Sequence, residues 1–207
     1  YIAVVTMNNP PVNAQNRQFH DDLTLAFDVL SDRNDVRSIV LTGAGKCFSA
    51  GADIKGRASQ ESDLGDHWVH SRRVRECFYS IMECRKPVIA AINGAALGAG
   101  LAVAASADIL IASESASVGL PEINVGLLGG GRHAMRLFGH SKTRRLMLTG
   151  QRLSGAELYR LGAVEECVPD DDLMRAALEI AEELASKSPV AMSLAKETLN
   201  AIEEMAL

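Results

Sequence analysis

A chain of 207 residues, 47% hydrophobic and 23% charged, is long enough to bury one large core. Its formal net charge of -5 excludes a general electrostatic attraction to nucleic acid or to an anionic membrane. Cys47, Cys77, Cys84 and Cys167 form no CxxC pair and no zinc spacing. Buried free thiols in a reducing, cytoplasmic setting are therefore expected, with no metal site.

The chain opens inside a strand-like run at Tyr1, with no signal peptide, so a trimmed N-terminus is expected. Residues 2–7 read as a strand, and Asn8-Asn9-Pro10-Pro11-Val12-Asn13 as the turn that ends it. Phe19, Leu23, Phe27 and Leu30 recur at helical spacing. Residues 38–42 form the next strand, closed by Gly43-Ala44-Gly45. The segment Phe48-Ser49-Ala50-Gly51-Ala52-Asp53-Ile54-Lys55 follows, then a polar stretch and a helix over about 66–83 that also carries Cys77 and Cys84.

The uncharged run Pro87–Ala107 is long enough to span a bilayer if only charges are counted. Pro87, Asn93, Gly94, Gly98 and Gly100 interrupt it, which favours strand 88–92, a turn at Asn93-Gly94 and a small-residue helix over 99–105. Strand 109–112 and an extended 116–119 lead into Pro121-Glu122 and a Gly129-Gly130-Gly131 loop. Helices are expected for most of the remainder. Ser154-Gly155-Ala156-Glu157 reads as a capping box, and Ser188-Pro189 as an N-cap followed by Pro at N1. Strands alternating with helices argue for a single α/β domain, a core of residues 1–150 followed by a helical part, residues 151–207.

Two glycine-flanked stretches, Ser49–Asp53 and Gly98-Ala99-Gly100, lack bulky side chains, so a ligand can approach their backbone closely. Two N–H groups converging there would make an oxyanion hole; tight packing at strand-to-helix corners accounts for the same spacing. Gly98-Ala99-Gly100 matches only half of a dinucleotide fingerprint. Glu122 at a local helix start reads either as a dipole-favoured cap or, between Leu120 and Ile123, as an acid of raised pKa suited to proton transfer.

Ser49–Lys55, Lys86–Gly100, Ala107-Asp108-Ile109 and Gly119-Leu120-Pro121-Glu122-Ile123-Asn124-Val125-Gly126 closely resemble the enoyl-CoA hydratase/isomerase (crotonase) family. The likeness continues through Leu148-Thr149-Gly150, Leu161–Val164 and Ala195-Lys196-Glu197. The resemblance implies an α/β fold, a crotonase-like spiral of ββα repeats with a helical C-terminal trimerisation region. It implies an acyl-CoA substrate, no cofactor beyond the coenzyme A of that substrate, and a homotrimer or a hexamer built from two trimers. Carried over by motif, the oxyanion donors are the Ala52 and Ala99 amides, and Glu122 is the catalytic carboxylate. Ala50, Asp53, Ile54, Lys55 and Gly98 fall along the CoA path, and the Gly130 N–H is placed to hold a water. Asp108 falls at a structural position. Family members commonly continue beyond Leu207, so the segment that completes the trimer is expected to be missing here.

Two departures matter. Alanine replaces the usual glycine at Ala99, which leaves the backbone donor intact. Many hydratases of the family carry a second glutamate where Ala102 stands. The resemblance therefore implies 2-enoyl-CoA hydration with Glu122 acting alone; enoyl-CoA isomerisation and a catalytically weak CoA- or RNA-binding protein are the alternatives. His133 reads as an extra acid or base or as an ordinary packed histidine, and His67, Trp68 and His70 as shaping the acyl pocket or packing.

Overall fold

The computed structural model describes residues 1–54, 56 and 63–205. Strands β1 (Ile2–Met7), β2 (Ser38–Gly43), β4 (Val88–Ile92), β6 (Ile109–Ser113) and β9 (Glu166–Val168) lie side by side in that order, all parallel. A second sheet holds β3 (Cys47–Ser49), β5 (Ala95–Leu97), β7 (Ser117–Gly119) and, antiparallel at its edge, β8 (Arg152–Ser154). From β2 to β7 each turn of the chain thus lays one strand in the first sheet and the next in the second. That is the expected α/β spiral.

The apolar runs explain the first sheet. β2 and β4 are buried along their whole length, as parallel strands covered on both faces must be. Their side chains alternate between two cores, because successive residues of a strand point to opposite faces. Ile39, Leu41, Ala90 and Ile92 join the main core with Phe27, Phe48 and Ile81. Val40, Ile89, Ala91 and Ile111 meet Leu173, Ala177 and Ala181 on the other side.

Eight helices cover the described residues of these sheets: α1 (Arg17–Asp32), α2 (Leu64–Met82), α3 (Ala99–Ala105), α4 (Gly131–Leu137), α5 (His140–Thr149), α6 (Gly155–Arg160), α7 (Leu173–Ala185) and α8 (Pro189–Met205). Asn16 caps α1 by accepting from the Phe19 N–H at 2.9 Å. The expected capping box at Ser154 and Glu157 is present, and α8 starts at Pro189 as the Ser-Pro signal predicts.

Asp108 is structural, as the resemblance implies. It accepts from the Val88 N–H at 2.7 Å and from Lys196 Nζ at 2.8 Å. Lys196, only 6% exposed, also donates to the Ile81 and Lys86 carbonyls at 3.1 Å each, so α8 is pinned to the end of α2 and to the entry of β4.

Several expectations are corrected. The helix over 99–105 is present as expected, but an unexpected strand precedes it, since Ala95–Leu97 pairs with β3 and β7. The region past residue 150 contributes β8 and β9, which extend one sheet each. Helix α2 begins at Leu64 behind an Asp63–Asp66 capping box and ends at Met82, so Cys84 lies beyond it. The uncharged run Pro87–Ala107 is two strands and a short helix, and among the described residues no helix is long and apolar enough to cross a membrane.

Candidate active site

Strand β3 ends at Ser49, and the chain turns at Gly51 with φ +90°. A Cβ on Gly51 would lie 2.5 Å from the Leu97 carbonyl oxygen and 3.2 Å from the Ala99 nitrogen. The missing side chain is what lets the end of β3 press against the start of α3. Gly98, between β5 and α3, has φ 57° and ψ -119°, a combination reserved for glycine. Its N–H is committed to the Gly119 carbonyl at 2.9 Å. Among the described residues neither the Ala52 N–H nor the Ala99 N–H has an acceptor, and the latter is one of the open donors at a helix start.

Gln15 holds the Ala52 loop from behind. Its N–H donates to the Gly51 carbonyl at 2.8 Å and its carbonyl accepts from the Asp53 N–H at 3.1 Å. The buried Asn13 ties the same region to β3, donating through Nδ2 to the Cys47 carbonyl at 2.7 Å and to that of Ala44 at 3.0 Å.

The carboxylate arrives from the second sheet. After β7, residues Pro121–Val125 form a 3-10 helix with Glu122 in its first turn. A Cβ added to Gly98 would collide with Glu122 Oε1 and come within 2.9 Å of its Cδ, so the carboxyl group lies directly on the Gly98 backbone. Glu122 Oε2 is buried without a hydrogen-bond partner among the described residues. Burial raises the Glu122 pKa above the usual carboxylate value, against a smaller lowering by its own backbone N–H. Gly130, with φ 70°, completes the wall, since a Cβ there would sit 2.9 Å from Leu120 Cδ2 and 3.8 Å from the Gly98 carbonyl. Two free N–H groups beside a buried, unpaired carboxylate can hold a carbonyl oxygen and move a proton at the adjacent carbons.

The other sequence candidates are placed as follows. Ala50 is exposed, and its N–H donates to the Val12 carbonyl at 3.0 Å. Asp53 folds its carboxylate back onto the Gly56 N–H at 2.9 Å. Ile54 is 45% exposed, and Lys55 lies outside the described residues. Ala102 is buried at the second turn of α3; its N–H donates to the Gly98 carbonyl at 3.1 Å, its carbonyl accepts from Ser106, and its methyl group brings no polar atom to the site. His133 packs edge-on against Phe78 with ring centroids 4.8 Å apart. Burial, with Arg136 and Arg132 adding to it, pushes its pKa down to about 4, so it stands neutral at pH 7. Two surface cavities, of about 460 and 670 Å³, have linings that include none of the candidate residues. No cluster of three His, Cys, Asp or Glu side chains among the described residues has the geometry of a metal site.

Sequence reading missed Asn13, Gln15 and Ser49 as parts of this architecture. Asn13 was visible as a turn residue, and its φ of 52° bears that out. Nothing in periodicity indicates that its side chain reaches carbonyls 34 residues away.

The enoyl-CoA hydratase/isomerase family model matches residues 1–207. A probable mitochondrial enoyl-CoA hydratase of Dictyostelium discoideum is 37% identical over 210 residues, covering 100% of this chain and 74% of that protein. The short-chain-enoyl-CoA hydratase of Clostridium acetobutylicum is 37% identical over 205 residues, covering 96% and 77%. The crystal structure of an enoyl-CoA hydratase from Bacillus anthracis superposes with a TM-score of 0.88 at 36% identity, covering 95% of this chain and 78% of that one. Sequence and fold agree, and the chain belongs to the enoyl-CoA hydratase/isomerase family.

Proposed function

We propose that this protein adds water reversibly across the C2–C3 double bond of 2-enoyl-CoA thioesters, with Glu122 as the one proton-transferring group. The observation that carries this reading is Glu122 Oε2, buried and unpaired beside the glycine that precedes the free Ala99 N–H.

The thioester oxygen accepts from the Ala52 and Ala99 N–H groups. A water held by the Gly130 N–H loses a proton to the Glu122 carboxylate as its oxygen bonds to C3. The π electrons move toward the thioester, and the enolate charge falls on the oxygen between the two amides. Glu122, now protonated, delivers the same proton to C2, which restores the carboxylate and leaves a 3-hydroxyacyl-CoA. Each amide donor contributes about 3 kcal/mol to such a transition state, and the raised pKa makes Glu122 a stronger base than a solvated carboxylate.

Ala50 and Ile54, both exposed beside Ala52, border the CoA path. Asp53 shapes that loop through its bond to Gly56, and Gly98 serves by leaving room for the carboxylate. The unbridged state of Cys47, Cys77, Cys84 and Cys167 supports a reducing, cytoplasmic setting. Exposed Val190, Leu194, Leu199 and Ile202 on α8 and Leu127, Leu128 and Leu148 near the site support a homotrimer, or a dimer of trimers, that covers them.

Ala102 favours a second reading. With a methyl group buried in that turn of α3, the single carboxylate also suffices to take a proton from C2 of a 3-enoyl thioester and return it to C4. Incubating the protein with 2-enoyl-CoA and with 3-enoyl-CoA, beside Glu122→Gln, separates the two. Water addition that disappears in the variant supports hydration; migration of the double bond without water addition supports isomerisation. An unimpaired Glu122→Gln protein would sink both.

A further inference from the structure

The Gln15 side chain is 1% exposed, and a buried amide of that size is costly unless both of its ends are hydrogen-bonded. Both ends are. Its Nε2 donates to Ser49 Oγ at 3.1 Å, and its Oε1 lies 3.3 Å from Nε2 of the buried His20. Ser49 Oγ in turn donates to the Asn13 carbonyl at 2.7 Å and accepts from the Gly51 N–H at 3.3 Å. These three side chains, the Asn13 carbonyl and the Gly51 N–H make one continuous polar chain inside the core.

The chain ends on the peptide that matters. The Gly51 carbonyl and the Ala52 N–H belong to one planar trans unit, so they point in opposite directions. The Gly51 carbonyl is held by the Gln15 N–H, while the Gly51 N–H is held by Ser49 Oγ. Those two bonds set the torsions on either side of Gly51, at a φ of +90° that a free glycine has no strong reason to keep. The direction of the Ala52 N–H follows from them.

We propose that Gln15 is a positioning residue: through Ser49 and the Gly51 peptide it aims the Ala52 N–H at the thioester oxygen. This rests on the enolate reading of the site. An aligned donor strengthens as negative charge grows on the oxygen, so its misalignment weakens the transition state more than the bound substrate. The effect therefore falls on kcat and leaves KM nearly alone.

The test compares wild type, Gln15→Leu and Ser49→Ala, each checked for folding by circular dichroism and thermal unfolding. Two quantities are read: steady-state kcat and KM with a 2-enoyl-CoA, and the carbonyl stretching frequency of an isotope-labelled thioester bound to the enzyme. The expected result is a kcat lower by roughly 10- to 100-fold in both variants, KM within about threefold, and a carbonyl frequency shifted back toward that of free thioester. Ser49→Ala removes only an oxygen, so it keeps the test alive if Gln15→Leu does not fold. Folded variants with wild-type kcat, or a lower kcat with an unchanged carbonyl frequency, overturn the positioning role while the functional reading stands. A wild-type protein that neither turns over nor polarises the bound thioester overturns the functional reading, and this inference with it.

Discussion

Replacing Gly98 by alanine asks how closely the carboxylate and the backbone of the site depend on each other. Two costs arise. At φ 57° and ψ -119° an alanine is strained by about 1–3 kcal/mol. The new Cβ also meets Glu122 Oε1 and Cδ. That carboxylate is the far end of a flexible side chain and can swing away, so the collision is relieved by displacement more than by lost stability. The variant is expected to lose about 1–3 kcal/mol, which for a chain of this size lowers Tm by about 2–12 °C. Its activity should fall by about 10²- to 10⁴-fold, because the base has left its place; at 1.36 kcal/mol per decade that is about 3–5 kcal/mol of transition-state stabilisation. Gly126→Ala provides the control. That glycine also has positive φ, 72°, but a Cβ there meets nothing within 4 Å. It should lose about 1–2 kcal/mol of stability and keep its activity. The measurements are thermal unfolding and the loss of conjugated-thioester absorbance as 2-enoyl-CoA is hydrated. A folded Gly98→Ala protein that retains more than about a tenth of wild-type activity would refute the reasoning, since the carboxylate would then not be needed where it lies.

Three further outcomes are expected. Burial raises the Glu122 pKa, and the base must be ionised, so kcat/KM should fall as pH drops through a value above the ordinary carboxylate range. Because the folded-state pKa lies above the unfolded one, stability is greatest at low pH with respect to this group and declines as pH rises through the folded value. Glu122→Gln should remove that slope and melt no lower than wild type at neutral pH, whereas a lower Tm would mean that the carboxylate is structurally paired. Lys196→Met leaves Asp108 and two carbonyls without their shared donor; calorimetry should register a loss of about 1–3 kcal/mol, and no measurable loss would contradict the part-buried pairing. His133, held near pKa 4 by burial, lies below its unfolded value of about 6.5. Its contribution to stability is complete above the unfolded value and is lost as pH falls from there toward about 4. His133→Phe should flatten the denaturant midpoint across that window, and an unchanged slope would show that the ring protonates freely.

The apolar runs were legible because they are short, rich in branched side chains and closed by turn residues: residues 2–7 and 88–92 are strands over the spans expected. Of the three-residue strands only Ser117–Gly119 was legible, as the extended 116–119. Ala95–Leu97 has no period to show, and its small side chains suit a helix equally well until Cys47 and Ser117 are found beside Ala95. The cap signals at Ser154 and Pro189 were readable because they act within one turn of backbone. The Asn13 and Gln15 contacts were not, because their partners Cys47 and Ser49 lie 34 residues on and reach them only after the sheets form.

For the site, the residues by themselves determined where backbone had to be accessible: a strand-to-helix turn without bulky side chains admits a ligand wherever it occurs. They also determined that Glu122 stands in apolar company and that Ala102 brings no second carboxylate. The tertiary structure alone decided that Gly51 presses on Ala99, that Glu122 rests on Gly98, and that the Glu122 carboxyl loses its water. Hydrogen bonds between neighbours in sequence act along the chain and can be read from it. Desolvation, and the approach of Gly51 to Ala99 and of Glu122 to Gly98, depend on which strands lie side by side, and that is settled only when the two sheets close around a common core.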